Sequence, residues 1–110
     1  MFKYKVILTI LLLSTYSLSC YSNNEAGFDE VCRIYTEAHN SNMSIDVLSS
    51  YIFNNIKKRV SSRDALEAHD AVMNADYMTR YTLFKGSAEH TLKRIWVCIP
   101  MKNIMEKPVK

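Results

Sequence analysis

Apolar side chains recur along most of this chain at the three- and four-residue spacing that gathers them on one face of a helix. Between Phe28 and His39 they fall at Phe28, Val31, Cys32, Tyr35 and Ala38, with Asp29 and Glu30 in the first turn, where acids suit the helix dipole. The polar run Asn40-Ser41-Asn42 closes that stretch. Ser44 is placed to cap a second helix over Ile45–Arg59, with Ile45, Leu48, Ile52 and Ile56 down one side and Val47, Tyr51 and Phe53 widening the apolar surface. Ser61-Ser62-Arg63-Asp64 resembles a capping-box start to a third helix over Asp64–Asn74. Its small-residue face, Ala65, Ala68, Val72 and Ala75, would let a neighbouring helix approach closely.

Residues 75–85 suit two structures. Tyr77, Tyr81 and Phe84 form a helical stripe that Asp76 could cap, yet Tyr, Thr and Phe also favour strands. A lone strand would have no partner here, so a helix is the expectation. Gly86 then fits the position after a helix C-terminus, and Ser87 the next N-cap. Ala88, Leu92, Ile95, Trp96 and Ile99 mark a last helix ended by Pro100. The chain has only 2 Gly and 2 Pro, none placed inside these periodic stretches, which favours long regular elements over many turns. The expected fold is all-α, a small bundle of four to five short helices over residues 28–100, with 101–110 as a flexible tail.

The N-terminus obeys another rule. Lys3 and Lys5 precede the apolar block Val6–Leu13, and Ser14, Thr15 and Ser17 dilute the apolar character beyond it. A spanning helix needs about 20 apolar residues, so the block is too short, and its layout is that of a secretory signal peptide over residues 1–19. Ser17 and Ser19 would serve an ordinary signal peptidase cutting before Cys20. Ser17-Leu18-Ser19-Cys20 also resembles the cleavage box of a bacterial lipoprotein precursor, although Ser17 stands where that box usually has Leu. The resemblance covers the leader alone and implies a lipid on Cys20, with residues 20–27 as a tether. If Cys20 carries lipid, the other two cysteines, Cys32 and Cys98, are left as a pair that would staple the first helix to the last. Simple secretion is the competing address, and in a eukaryotic secreted protein Asn42-Met43-Ser44 would be a glycosylation sequon.

Removing the leader changes the charge. The whole chain carries +3, but without Lys3 and Lys5 twelve basic side chains face eleven acidic ones. A nearly neutral domain lacks the field that non-specific nucleic-acid binding needs. Lys57-Lys58-Arg59 is the densest basic cluster, read either as a helix C-terminus or as a contact for anionic lipid headgroups.

Motifs for chemistry are missing. His39, His69 and His90 have no metal-ligand spacing, and His69, between Leu66 and Met73, reads as a core residue. The mature methionines, Met43, Met73, Met78, Met101 and Met105, are too scattered for a copper site and suit gap-filling. No nucleophile motif is present, so neither an enzyme nor a cofactor is expected. Tyr77, Arg80, Tyr81 and Phe84, with Trp96, are either core or an exposed recognition surface of the composition that dominates binding hot spots. The function expected is thus contact with an envelope protein, as inhibitor, exclusion factor or accessory subunit, by a domain displayed on the bacterial envelope or secreted. The competing function is a periplasmic holdase chaperone.

Overall fold

The computed structural model describes residues 24–107, and the stretch expected to be a signal peptide, with Cys20, lies outside them. Five helices and no strand are found among the described residues: α1 (residues 24–40), α2 (Ile45–Arg59), α3 (Arg63–Met73), α4 (Tyr77–Leu92) and α5 (Ile99–Met105). The all-α expectation holds. A disulfide between Cys32 on α1 and Cys98, the N-cap of α5, joins the first helix to the last with an S–S distance of 2.06 Å.

Helix α1 is the axis of the bundle. Its stripe Phe28, Val31, Ile34, Tyr35 and Ala38 is buried throughout, the face a helical period would select. Contacts order the other helices around it. Arg59 and Tyr51 of α2 reach Glu30 and Glu37 respectively, so α2 runs back against α1. Phe84 of α4 lies against Phe28, at 5.5 Å between ring centroids. Trp96 completes that cluster, 5.5 Å from Phe84 and 6.5 Å from Phe28. Tilted and edge-on aromatic pairs of this kind contribute about 0.5–1.5 kcal/mol each beyond the area they bury.

Local sequence explains the helix ends. Ser62 caps α3, its hydroxyl accepting from the Ala65 backbone N–H at 3.3 Å, so the working cap is Ser62 rather than a box built from Ser61 and Asp64. Ser44 and Asp76 occupy the N-cap positions of α2 and α4 without a side-chain cap bond. At the end of α4, Lys93 adopts a left-handed φ of 58° and its N–H reaches the Glu89 carbonyl at 2.9 Å. That conformation is more often glycine's.

Four boundaries differ from the sequence expectation. Residues 24–27 belong to α1 rather than to a tether, and Gly27 lies where α1 meets the start of α3: a Cβ on it would stand 2.2 Å from Ser62 Cβ. Helix α4 runs straight through Gly86 and Ser87, because Tyr81, Phe84, Ala88 and Leu92 form one unbroken buried stripe and Gly86 faces open space. The last helix does not cover 88–99. After Lys93 burial alternates, with Trp96 and Cys98 inside and Ile95, Val97 and Ile99 outside, which is the period of a strand. Finally, Pro100 opens α5 instead of ending a helix, since a first-turn N–H needs no helical partner. Met101 and Met105 then pack into the core, so residues 101–105 are not a tail.

Candidate functional site

The four residues singled out for recognition separate. Tyr81 and Phe84 are core, with Phe84 in the aromatic cluster and the Tyr81 hydroxyl accepting from the Cys98 backbone N–H at 3.0 Å. Tyr77 and Arg80, one turn earlier on α4, line a half-open groove of about 420 Å³. The quartet is therefore not one exposed surface.

The groove lies where the C-terminal part of α1, the first half of α2, the end of α3, the start of α4 and the end of α5 converge. Tyr35 and Ala38 form part of its floor, and Met43, Ile45, Leu48 and Phe53 one wall. Ile45 and Phe53 are exposed at its edge. Among the described residues its charged and titratable lining is His39, Arg80 and Lys107, besides the tyrosines, with no Asp or Glu. The Arg80 Nε donates to the Ala75 carbonyl at 3.0 Å. Of the chain's five arginines, Arg33, Arg59, Arg63 and Arg94 each hold a carboxylate, whereas Arg80 has none among the described residues.

Beneath the groove, the Tyr35 hydroxyl and His69 Nε2 share a hydrogen bond of 2.6 Å, and the His69 ring stands edge-on to Phe53 and Phe84. Burial pushes the His69 pKa down to about 4 and drives the Tyr35 phenol well above its ordinary range. Both groups are thus neutral near pH 7. This pair satisfies the core reading of His69. Its partner Tyr35, 34 residues away, carries no sequence signal beyond its place in the α1 stripe.

A second surface comes from the connector after α4. Ile95, Val97 and Ile99 are 79%, 55% and 54% exposed. The alternate residues hold the segment in place. The Trp96 backbone N–H donates to Glu89 Oε2 at 3.1 Å, its indole to Asp29 Oδ1 at 3.1 Å, and Cys98 is tied to Tyr81 and to Cys32. The N–H groups of Ile95 and Val97, on the other edge, make no hydrogen bond among the described residues. Sequence periodicity hides this strip, because Leu92, Ile95, Trp96 and Ile99 satisfy a helical spacing as well.

The basic cluster divides too. Lys57 and Lys58 are exposed in the last turn of α2, while Arg59 turns back onto α1, 2.7 Å from Glu30 and 2.6 Å from Glu37. Arg59, and then the Tyr51 hydroxyl, hold the Glu37 carboxyl down to about 2. The cluster lies at a helix C-terminus, in the last turn of α2.

Among the described residues no group of three or more His, Cys, Asp or Glu side chains could hold a metal ion, and no helix is long and apolar enough to cross a membrane. No family model, no curated protein and no solved structure matches the chain.

Proposed function

We propose that this chain is an exported binding domain, displayed on the bacterial envelope by a lipid on Cys20, that acts by docking a partner protein rather than by catalysis. The strip Ile95, Val97, Ile99 carries the reading: three β-branched side chains held outward on a rigid, disulfide-tied segment. Such a segment loses little conformational entropy when it binds. Its occupant is an extended strand of the partner, which would pair with the N–H groups of Ile95 and Val97, unbonded among the described residues, and cover their side chains, as in β-strand addition. The bridge also uses Cys32 and Cys98, which supports a separate purpose for Cys20.

The test is site-specific photocrosslinking in membranes of producing cells, with the crosslinker at Val97 or, as reference, at Gly86. A discrete adduct from Val97 that disappears in Ile95→Lys supports docking. The same adducts from both positions, or none from Val97, overturn it. Intact-mass analysis of the membrane fraction tests the anchor: an unmodified N-terminus refutes it.

One observation favours the holdase as a second reading. Buried His69, held neutral, makes the core sensitive to acid. A holdase would open near pH 3 and bind an apolar dye with its disulfide intact, whereas the docking domain stays closed.

A further inference from the structure

We infer that the groove where the five helices converge binds a single-chain amphiphilic carboxylate, a free fatty acid, with its carboxylate on Arg80 and its chain along the apolar wall. This is a site apart from the docking strip and does not depend on it.

Charge selects the head group. Arg80 is the arginine without a carboxylate among the described residues, and it lies half-buried at an apolar surface. Its Nε is committed to the Ala75 carbonyl, which fixes the plane of the guanidinium and leaves its terminal nitrogens to a ligand. A carboxylate suits that geometry, since guanidinium nitrogens donate to it in pairs. No acid among the described residues lines the groove, so none of them competes there for Arg80 or repels an anion, and Lys107 adds to the attraction. The charged groove residue is also close to Tyr35, whose phenol stays protonated and so offers Arg80 no counter-charge.

Volume and lining select the tail. At about 420 Å³ the groove lies within the roughly 300–1,000 Å³ of small-molecule sites, a size that suits one acyl chain. Met43, Met73 and Met105 line the space together with Ile45, Leu48 and Phe53. Methionine adapts its flexible thioether chain to an irregular apolar guest.

The experiment is calorimetric titration of the chain carrying Cys20→Ser, so that no acyl chain of its own is present. Myristate below its micelle concentration is compared with tetradecanol, which has the same length and no charge. Myristate should bind one to one and at least about tenfold tighter than the alcohol, the effect expected of a charge-assisted hydrogen bond. Arg80→Gln should bring myristate down to the alcohol's affinity and leave the alcohol unchanged. Because Arg80 also bonds the Ala75 carbonyl, Ile45→Glu serves as the second variant: it places a negative charge at the groove edge without touching Arg80, and should weaken myristate far more than the alcohol. Equal affinity for acid and alcohol, unaltered myristate binding in both variants, or capture by phosphatidylglycerol vesicles with no myristate binding would each overturn the assignment.

Discussion

The two ends of α1 differ in how much they leave unsatisfied. Toward its start, Gly27 lies against Ser62, Asp29 holds the Trp96 indole, Glu30 holds Arg59 and Cys32 is bridged to Cys98. Toward its end, Tyr35 and Ala38 floor a groove whose Arg80 has no carboxylate among the described residues and whose edge exposes Ile45 and Phe53. The same helix is closed at one end and open at the other. The difference teaches where stability and binding are separable: side chains that only complete the closed end should govern folding, and those around the groove should govern occupancy.

The largest expected effect falls on the closed end. The bridge closes a loop with a sequence separation of 66, and the chain-entropy account assigns a loop of that size roughly 4 kcal/mol. A small domain has only about 5–15 kcal/mol in all. Cys32→Ala with Cys98→Ala should therefore lower Tm by roughly 15–30 °C, taking about 4–8 °C per kcal/mol for a domain this size. Thermal unfolding followed by far-ultraviolet circular dichroism checks this. A loss under about 5 °C, little more than the shift of a single kcal/mol, would mean that the closed end holds without its covalent tie.

Much of the closed end is legible in the sequence, and most of the open end is not. The helical stripes of α1, α2 and α3 come from local spacing, and cysteine parity pairs Cys32 with Cys98 once Cys20 is set aside. Gly86 misleads because glycine is a frequent stop signal. The counter-signal is register: Tyr81, Phe84, Ala88 and Leu92 keep one helical phase across it. Pro100 misleads for a related reason, since proline ends a helix from inside but starts one from the first turn. The groove is built from all five helices, with Met73 contributed by the end of α3, so no short window of residues contains it. Arg80 stands out in the sequence for its aromatic neighbours, whereas what distinguishes it is the lack of a carboxylate among the described residues, a property only the fold reveals.

The second effect tests whether the open end rests on an acid-sensitive floor. His69 has an unfolded value near 6.5 and a folded one of about 4, lowered by burial, with Asp70 opposing. Its contribution is complete above pH 6.5 and is lost as pH falls toward 4, because the unfolded chain takes up the proton first. The difference corresponds to about 3 kcal/mol. Glu37, held near 2 by Arg59 and Tyr51, gives a separate loss that begins below about 4.5, so the two windows can be distinguished. Urea unfolding between about pH 7 and pH 4 should show the decline. Tyr35→Phe with His69→Leu, which removes both members of the buried pair, should flatten it. An unchanged slope in that double variant would place the acid sensitivity elsewhere.

The third effect returns to the closed end. Ala at position 27 would bring its Cβ within 2.2 Å of Ser62 Cβ and 2.9 Å of its Oγ. Ser62 is fully buried and caps α3, and since side-chain rotation leaves its Cβ in place, only a shift of backbone relieves the contact. Overpacking of this kind costs about 1–3 kcal/mol, and the better helix propensity of alanine recovers at most about 1 kcal/mol of it. Gly27→Ala should thus be destabilised by about 1–2 kcal/mol in chemical denaturation. Myristate affinity should not change, because position 27 is remote from the groove. A simultaneous loss of both would show that the two ends are coupled through α1.

The smallest effect has the opposite sign and concerns α4, the helix that spans both ends, with Tyr77 and Arg80 at the groove and Glu89 holding the Trp96 backbone. Gly86 lies between them, exposed, with no heavy atom within 4 Å of where a Cβ would stand. It is helical and its φ is not positive, so alanine adopts its conformation without strain. Glycine there only enlarges the entropy that α4 loses on folding. Gly86→Ala should therefore gain about 0.5–1 kcal/mol, measured as a higher urea midpoint with an unchanged slope. If the groove needs α4 to bend at this residue, the same substitution would weaken myristate binding while it stabilises the fold, and the separation of stability from binding would then fail in α4.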